Sequence, residues 1–387
     1  MLREANVVGH AQIAAFQHEA LSASDTATSV EQSSQGWIPC LSEIPVRSRA
    51  QPAACSAAGR AERSDGHADE NGAEADHRLY YRISLDTSTP FRICGGLQDN
   101  ANWLGPSATR TKEGILNSDW INIYGGDGFG CAFDSADPNI VYAESQSADF
   151  YRLDLNSGQV KMLRPAPAEG QVGFRFNWDS PLVASQHHKG TIYLGGNRIF
   201  ALTNRAENWK AISPDLSAQE PSRIMTAGSG AETYGVVFTI AESPAQANLL
   251  WAGTDDGKAW ITQDERGTWT DLTPNLPAAV KGLWMSRLAA SHFDRKVAYL
   301  AVGGYRSGNY APLAYRTADS RRTWHSIAGN LPADNPVHFV YEDPKNANLL
   351  IGGHGNRTVP ELRPRRILGE VPGPAHRDGG RPGDSPA

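Results

Sequence analysis

From Leu79 to about Asn356 the chain is written in short runs where apolar and polar positions alternate, each run closed by Gly, Pro, Asn or Asp. Alternation with a period of two places successive side chains on opposite faces of a strand, so this pattern predicts many short strands. The clearest unit is YGVVFTIAESPAQANLLWAGTDDGKAWITQDERGTWTDLTPNL, Tyr234 to Leu276. It divides into four strands, Val236 to Ala241, Leu249 to Gly253, Lys258 to Thr262 and Thr268 to Leu272, joined by Ser-Pro-Ala-Gln-Ala-Asn, Thr-Asp-Asp-Gly and an Asp-containing turn. Related order recurs at Asp137 to Leu163, Gly190 to Leu216 and Lys296 to Leu331. Trp209, Trp269 and Trp324 hold equivalent places in three copies, 60 and 55 residues apart. A repeat of that length suits a four-stranded unit that hides its faces only by stacking on its neighbours. The expected fold is therefore all-β, a β-propeller of four-stranded blades, with five blades and half of a sixth legible. An unclosed set would leave two blade edges open to self-association.

The flanks break this pattern. Residues 1–78 contain SRAQPAACSAAGRAERSDGHADENGAEADH, without an aromatic residue or a period, and 357–387 are rich in Pro, Gly and Arg. Such composition offers little apolar surface to offset the entropy of ordering, so both are expected to be disordered tails around a propeller at 79–356. Both boundaries switch within a few residues, as a frameshifted or truncated reading frame would produce. Read literally, the N-terminus has no basic region followed by an apolar stretch, which predicts a cytoplasmic chain. With an artefactual start, a periplasmic or secreted protein is expected.

Composition agrees with the strand reading: Gly 38, Pro 24 and Trp 10, against Met 4 and a charged fraction of 20%. A net charge of -6 and the lack of a basic stripe argue against nucleic acid as a partner. No apolar run is long enough for a membrane helix. Cys40, Cys55, Cys94 and Cys131 lack metal-type spacing and are read as isolated thiols.

The turns carry a resemblance. ITQDERGTWTDLTPNL (Ile261 to Leu276) and RTADSRRTWHSIAGNL (Arg316 to Leu331) look like degenerate Asp-boxes, the Ser/Thr-x-Asp-x-Gly-x-Thr-Trp (BNR) repeats of sialidase-like and sortilin (Vps10)-type propellers. GGLQDNANWLGPS, YGGDGFG, DPNIVYAESQ and FRFNWDSPL resemble a bacterial, glycosyl-hydrolase-like branch of that group. Asn204, Asp264 and Asp319 should hold the turns through backbone amides two residues on. The following Trp209, Trp269 and Trp324 should fill the gaps between blades with each indole N–H satisfied. The box glycine is replaced by Ala206, Arg266 and Arg321, which predicts strained or reshaped turns.

Propellers bind ligands at the channel mouth, so loops there supply the candidates. Asp99 and Asp127 are the possible catalytic carboxylates, since a glycosidase needs two acids about 5–10 Å apart. Asn100, Trp103, Glu144, Arg175, Asn177 and Trp178 are the ligand-binding candidates, with Trp103 or Trp178 as a sugar platform. The bland alternative makes Asp99 and Asp127 ordinary turn residues. FRIC at Phe91 to Cys94 resembles the start of true sialidases, but no Arg triad with a Tyr-Glu pair can be assembled. His187 and His188, being adjacent, should point apart and lie in a solvated loop, so neither a metal nor another cofactor is expected. Two functions follow: a binding propeller for a glycan or peptide, or a polysaccharide hydrolase with paired carboxylates.

Overall fold

The structure is a computed structural model; it describes residues 80–224, 233–354 except 266, 321 and 330, and 366–368. The expected tails therefore lie outside the described residues, apart from 366–368. Six antiparallel sheets follow one another along the chain, five of four strands and the last of three. Sheet I holds β1 (Tyr80–Leu85), β2 (Arg92–Leu97), β3 (Asn102–Pro106) and β4 (Ile121–Tyr124). Sheet II holds β5 (Gly128–Phe133), β6 (Ile140–Ser145), β7 (Asp149–Asp154) and β8 (Val160–Met162). Sheet III holds β9 (Leu182–Ala184), β10 (Ile192–Gly195), β11 (Ile199–Thr203) and β12 (Asn208–Ala211). Sheet IV holds β13 (Val237–Glu242), β14 (Leu250–Thr254), β15 (Ala259–Thr262) and β16 (Thr270–Asp271), within two residues of the strands read from the alternation. Sheet V holds β17 (Trp284–Ala290), β18 (Ala298–Gly303), β19 (Ala314–Thr317) and β20 (His325–Ser326). Sheet VI holds β21 (Val337–Glu342), β22 (Leu350–His354) and β23 (Arg366–Leu368).

Within each sheet the strands pair in chain order, which is the meander of a propeller blade. The hydrophobic core is divided to match. Five clusters of buried side chains each combine residues from two consecutive sheets. Sheets IV and V, for instance, share Trp251, Ile261 and Leu272 with Met285, Leu300 and Trp324. Each fully buried Leu, Ile or Phe in such a junction contributes roughly 1.5–3 kcal/mol of transfer free energy, so stability lies in the junctions rather than within a blade. No such cluster among the described residues joins sheet VI to sheet I. The third strand of sheet VI comes from the segment expected to be a disordered tail: Arg366–Leu368 pairs antiparallel with β22.

The repeated turns are closed in different ways at Asp319 and Asn204. Asp319 Oδ1 accepts from the Arg322 and Thr323 amides at 2.8 and 3.1 Å, and Oδ2 accepts from the Thr323 hydroxyl at 2.8 Å. These amides lie three and four residues on, not two. Burial opposes ionisation of Asp319, but the Thr323 hydroxyl and the two amides outweigh it and hold the carboxyl well below the usual carboxylate range. At Asn204 the side chain holds nothing among the described residues; the turn closes through the Glu207 amide on the Asn204 carbonyl, 3.1 Å. Asn204, Arg205 and Ala206 all have positive φ (52°, 54° and 60°), so the strain predicted from the missing glycine is present there. Arg266 and Arg321 lie outside the described residues.

The tryptophans also divide. Trp269 packs on the sheet III side of its junction with Ile212 and Tyr193, and its indole donates to the Ile212 carbonyl at 2.9 Å. Trp324 is buried against Trp251 of the preceding sheet, edge to face at 6.4 Å, yet its indole nitrogen finds no partner. Trp209 does not wedge between blades. It is 39% exposed and leans on Phe174 and Phe200 beside its own sheet.

The cysteine expectation is corrected. Cys94 in β2 and Cys131 in β5 form a disulfide with Cα atoms 5.9 Å apart. The two strands face each other across the junction of sheets I and II, a proximity that residue spacing does not reveal.

Candidate functional site

Because each sheet is a meander, every second loop falls at the same end of the blades. The loops after β2, β4, β6, β8 and β14 share one end, and they carry Asp99 and Asn100, Asp127, Ser147, Arg175 to Asp179, and Asp255. The inner strands enter from this end, and five of the six share an irregularity. The register slips between Tyr80 and Arg82, Gly128 and Cys131, Val237 and Thr239, Met285 and Arg287, and Val337 and Phe339. A bulge adds a residue to one strand and re-aims the side chains beside it. The residues inside these bulges include Tyr81, Phe129, Phe238, Ser286 and His338. Gly96 lies beside the first bulge, where a Cβ would fall 2.1 Å from the Gly128 carbonyl carbon, so the close approach of sheets I and II there requires glycine.

Around this end the structure brings together Asp99, Asp127 and Trp178. Asp127 Oδ1 accepts the Asp99 amide at 2.6 Å and Oδ2 accepts the Trp178 indole at 3.0 Å. Asp99 adopts φ 56°, as a tight turn demands. Slight burial first, then the Asp127 carboxylate beside it, raise the Asp99 carboxyl above its ordinary value. Tyr81 donates to Gln98 Oε1 at 3.0 Å and packs tilted against Phe129, ring centroids 4.8 Å apart. Burial, followed by the charges of Asp127, Asp179 and Asp99, pushes the Tyr81 hydroxyl up to about 12.

Asp179 in turn accepts from Arg82 Nε and Nη2 at 3.2 and 2.9 Å. The Arg82 guanidinium also stands 5.4 Å over the ring of Phe238, so the inner strands of sheets I and IV meet across the centre. Arg287, on the inner strand of sheet V, is hemmed in by protein but still reached by solvent, as a side chain lining a channel would be. Burial, with the nearby Arg82 cation adding, lowers its pKa to about 10 against the opposing charge of Asp179. Among the described residues it forms no ion pair.

The remaining candidates are held by contacts of their own. Glu144 is fully buried; Oε1 accepts the Ala148 and Ser180 amides at 3.1 and 3.2 Å, fastening two mouth loops, and Oε2 has no partner. Burial, then the charge of Asp179, raises its carboxyl well above the usual range. Asn177 donates to Asp255 Oδ2 at 3.4 Å. Asn100 and Trp103 close their own turn, Asn100 Nδ2 on the Gln98 carbonyl at 2.9 Å and the Trp103 indole on the Asn100 carbonyl at 2.6 Å. Arg175 is fixed by Asp215, Ser217 and the Gly235 carbonyl at 2.9, 3.0 and 3.0 Å. With Phe174, Arg198 and Trp209 it lines a separate cleft of about 650 Å³.

Sequence reasoning missed Tyr81, Arg82, Asp179 and Arg287. One signal was available: Arg82 and Arg287 occupy the position just after the bulge, where the sister strands carry Cys131, Thr239 and Phe339. A charge at an otherwise neutral repeat position marks a departure from pure packing.

The fold is that of a β-propeller, with Asp99, Asp127 and Asp179 gathered at one end of the blades near Arg82 and Arg287 of the inner strands. No family model matches the chain, and no curated protein matches it. Among solved structures it is similar to U3-55K, at 9% identity over 75% of this chain and 79% of that one, TM-score 0.46. It is also similar to a chain of the mitotic checkpoint complex (12%, 73% and 73%, 0.46) and to the computationally designed Ika8 protein (12%, 70% and 68%, 0.41). No helix among the described residues is long and apolar enough to cross a membrane.

Proposed function

We propose that this propeller is a binding module that takes a polar ligand, a glycan or a peptide, at the end of the blades where Asp99, Asp127 and Trp178 meet. The observation that carries the reading is this convergence of three loops from three sheets on one mouth, above an inner wall of Tyr81, Arg82 and Arg287. Asp99 supplies an acceptor that Asp127 holds in place, Trp178 and Tyr81 supply flat apolar surface, and Arg287, without an ion pair among the described residues, favours a ligand that brings a carboxylate.

The same geometry favours binding over hydrolysis. Both oxygens of Asp127 are engaged by the Asp99 amide and the Trp178 indole, and the Asp99 carboxyl lies beside it rather than across a gap. A glycosidase needs its two carboxyls about 5–10 Å apart, on opposite sides of the scissile bond. The short outer strand of sheet VI remains, on this reading, a surface for self-pairing.

The test is a screen of the purified chain against immobilised oligosaccharides, including uronic acids, and against peptides with free C-termini. Saturable binding that weakens at least tenfold in Trp178→Ala and in Arg287→Gln supports the reading. Release of reducing sugar, abolished in Asp99→Asn, would replace it with the hydrolase.

A further inference from the structure

The opposite end of the blades carries a second cluster that owes nothing to the mouth. His187 and His188 lie in a solvent-exposed loop as expected, with the His188 side chain 40% exposed, but their rings do not point apart: both contact the β13–β14 loop of sheet IV. His187 Nε2 lies 2.8 Å from the Ser243 carbonyl, and His188 Nε2 lies 3.0 Å from Asn248 Oδ1 and 3.6 Å from Glu265 Oε2. Glu242, at the end of β13, completes the group: one ligand atom from each of His188, Glu242 and Glu265 lies within 4.8 Å of the others.

We propose that His188, Glu242 and Glu265, with the Asn248 carbonyl, form a divalent transition-metal site of the Zn²⁺ or Mn²⁺ kind that staples blade III to blade IV. The donor set is one imidazole nitrogen with carboxylate and amide oxygens, which suits such ions better than Ca²⁺ or Mg²⁺, the hard cations that take oxygen alone. Ligands about 2.0–2.2 Å from a central ion stand roughly 3.0–3.6 Å from one another in octahedral or tetrahedral arrangements; the 3.0 and 3.6 Å separations of His188 from Asn248 and Glu265 match, and Glu242, within 4.8 Å of the other two, would draw in on the ion.

The shell behind the ligands is already built. The buried Ser185 hydroxyl and the Gln186 amide donate to Glu242 Oε1 and Oε2 at 2.7 and 2.6 Å. The buried Tyr193 hydroxyl donates to Glu265 Oε1 at 2.5 Å. Such outer contacts hold metal-binding carboxylates in orientation.

Comparison with the next equivalent junction shows that this is more than the repeat's ordinary latch. Between sheets V and VI, Ser291, His292 and Tyr299 all bond one carboxylate, Glu342, at 3.0, 2.6 and 2.6 Å. Between sheets III and IV the tyrosine is diverted to a second carboxylate, Glu265, and no Lys or Arg ion pair with either acid occurs among the described residues. Two neighbouring carboxylates facing a histidine leave negative charge that a divalent cation would neutralise. His188 must then bind through Nε2, with its proton on Nδ1.

The experiment is equilibrium dialysis of the full chain, stripped with chelator, against Zn²⁺, Mn²⁺ and Ca²⁺ separately, with metal counted by mass spectrometry. The expected result is one equivalent of Zn²⁺ or Mn²⁺, bound at least tenfold more weakly by Glu265→Gln and by His188→Gln, with circular dichroism showing both variants folded. A metal-dependent rise in melting temperature should also be lost in both. No bound metal, preference for Ca²⁺, or equal binding by wild type and variants would overturn the proposal. None of these outcomes depends on what the mouth binds.

Discussion

Replacing the three repeat tryptophans one at a time by alanine separates a junction wedge from a surface ring. Trp324 is 7% exposed within the junction core of sheets IV and V, so Trp324→Ala should cost about 3–5 kcal/mol, toward the low end because its unpartnered indole N–H no longer has to be buried. Trp269 is half-buried against sheet III and also loses its bond to the Ile212 carbonyl, so about 2–3 kcal/mol is expected. Trp209 is 39% exposed and keeps only its edge contacts with Phe174 and Phe200, so Trp209→Ala should cost about 1 kcal/mol. Urea titration followed by far-ultraviolet circular dichroism reads this as midpoint shifts at unchanged slope. Three equal shifts, or the largest from Trp209, would refute the division of the core into inter-sheet junctions.

Asp179→Asn should destabilise by about 2–4 kcal/mol, because it leaves Arg82 and Arg287 as neighbouring cations without an acid; adding Arg82→Met should recover part of the loss in a double-mutant cycle. Burial raises the Asp255 carboxyl to about 7, with Asp256 adding and the Val236 and Gly235 amides opposing. A carboxyl with a raised folded pKa binds its proton more tightly in the native state, so its contribution is lost as pH rises from the ordinary carboxylate range through about 7, at about 1.4 kcal/mol per unit of displacement. Urea midpoints measured across that window should fall less steeply in Asp255→Asn than in wild type, and an unchanged slope would contradict the assignment. Reducing the Cys94–Cys131 bridge, which closes 37 residues, should cost about 4 kcal/mol by loop entropy, checked by melting with and without reductant.

The blades were legible because turn chemistry and alternation are local. Thr-Asp-Asp-Gly marks the β14–β15 turn, and alternating residues on either side show which face is buried. The meeting of Asp99, Asp127 and Trp178 was half legible, since all three sit in glycine- or asparagine-bearing loops at the same end of a meander. What the sequence hid depends on the neighbouring sheet. The burial of Glu144 follows from the Arg175 to Ser180 segment folding over it, and the Cys94–Cys131 pair follows from the contact of sheets I and II. Trp209 shows the reverse case, a repeat position whose expected gap is already filled by Phe150 and Phe200 of the junction between sheets II and III.

The central claim is that ligand binds at the end of the blades bearing Asp99, Asp127 and Trp178. Hydrogen exchange with the tightest ligand from the screen tests it most directly. The account predicts protection confined to the loops around 98–101, 125–128, 177–181 and 255–257. Protection instead at the opposite end of the blades, around 204–207, 263–269 and 318–324, with the mouth loops unchanged, would contradict it.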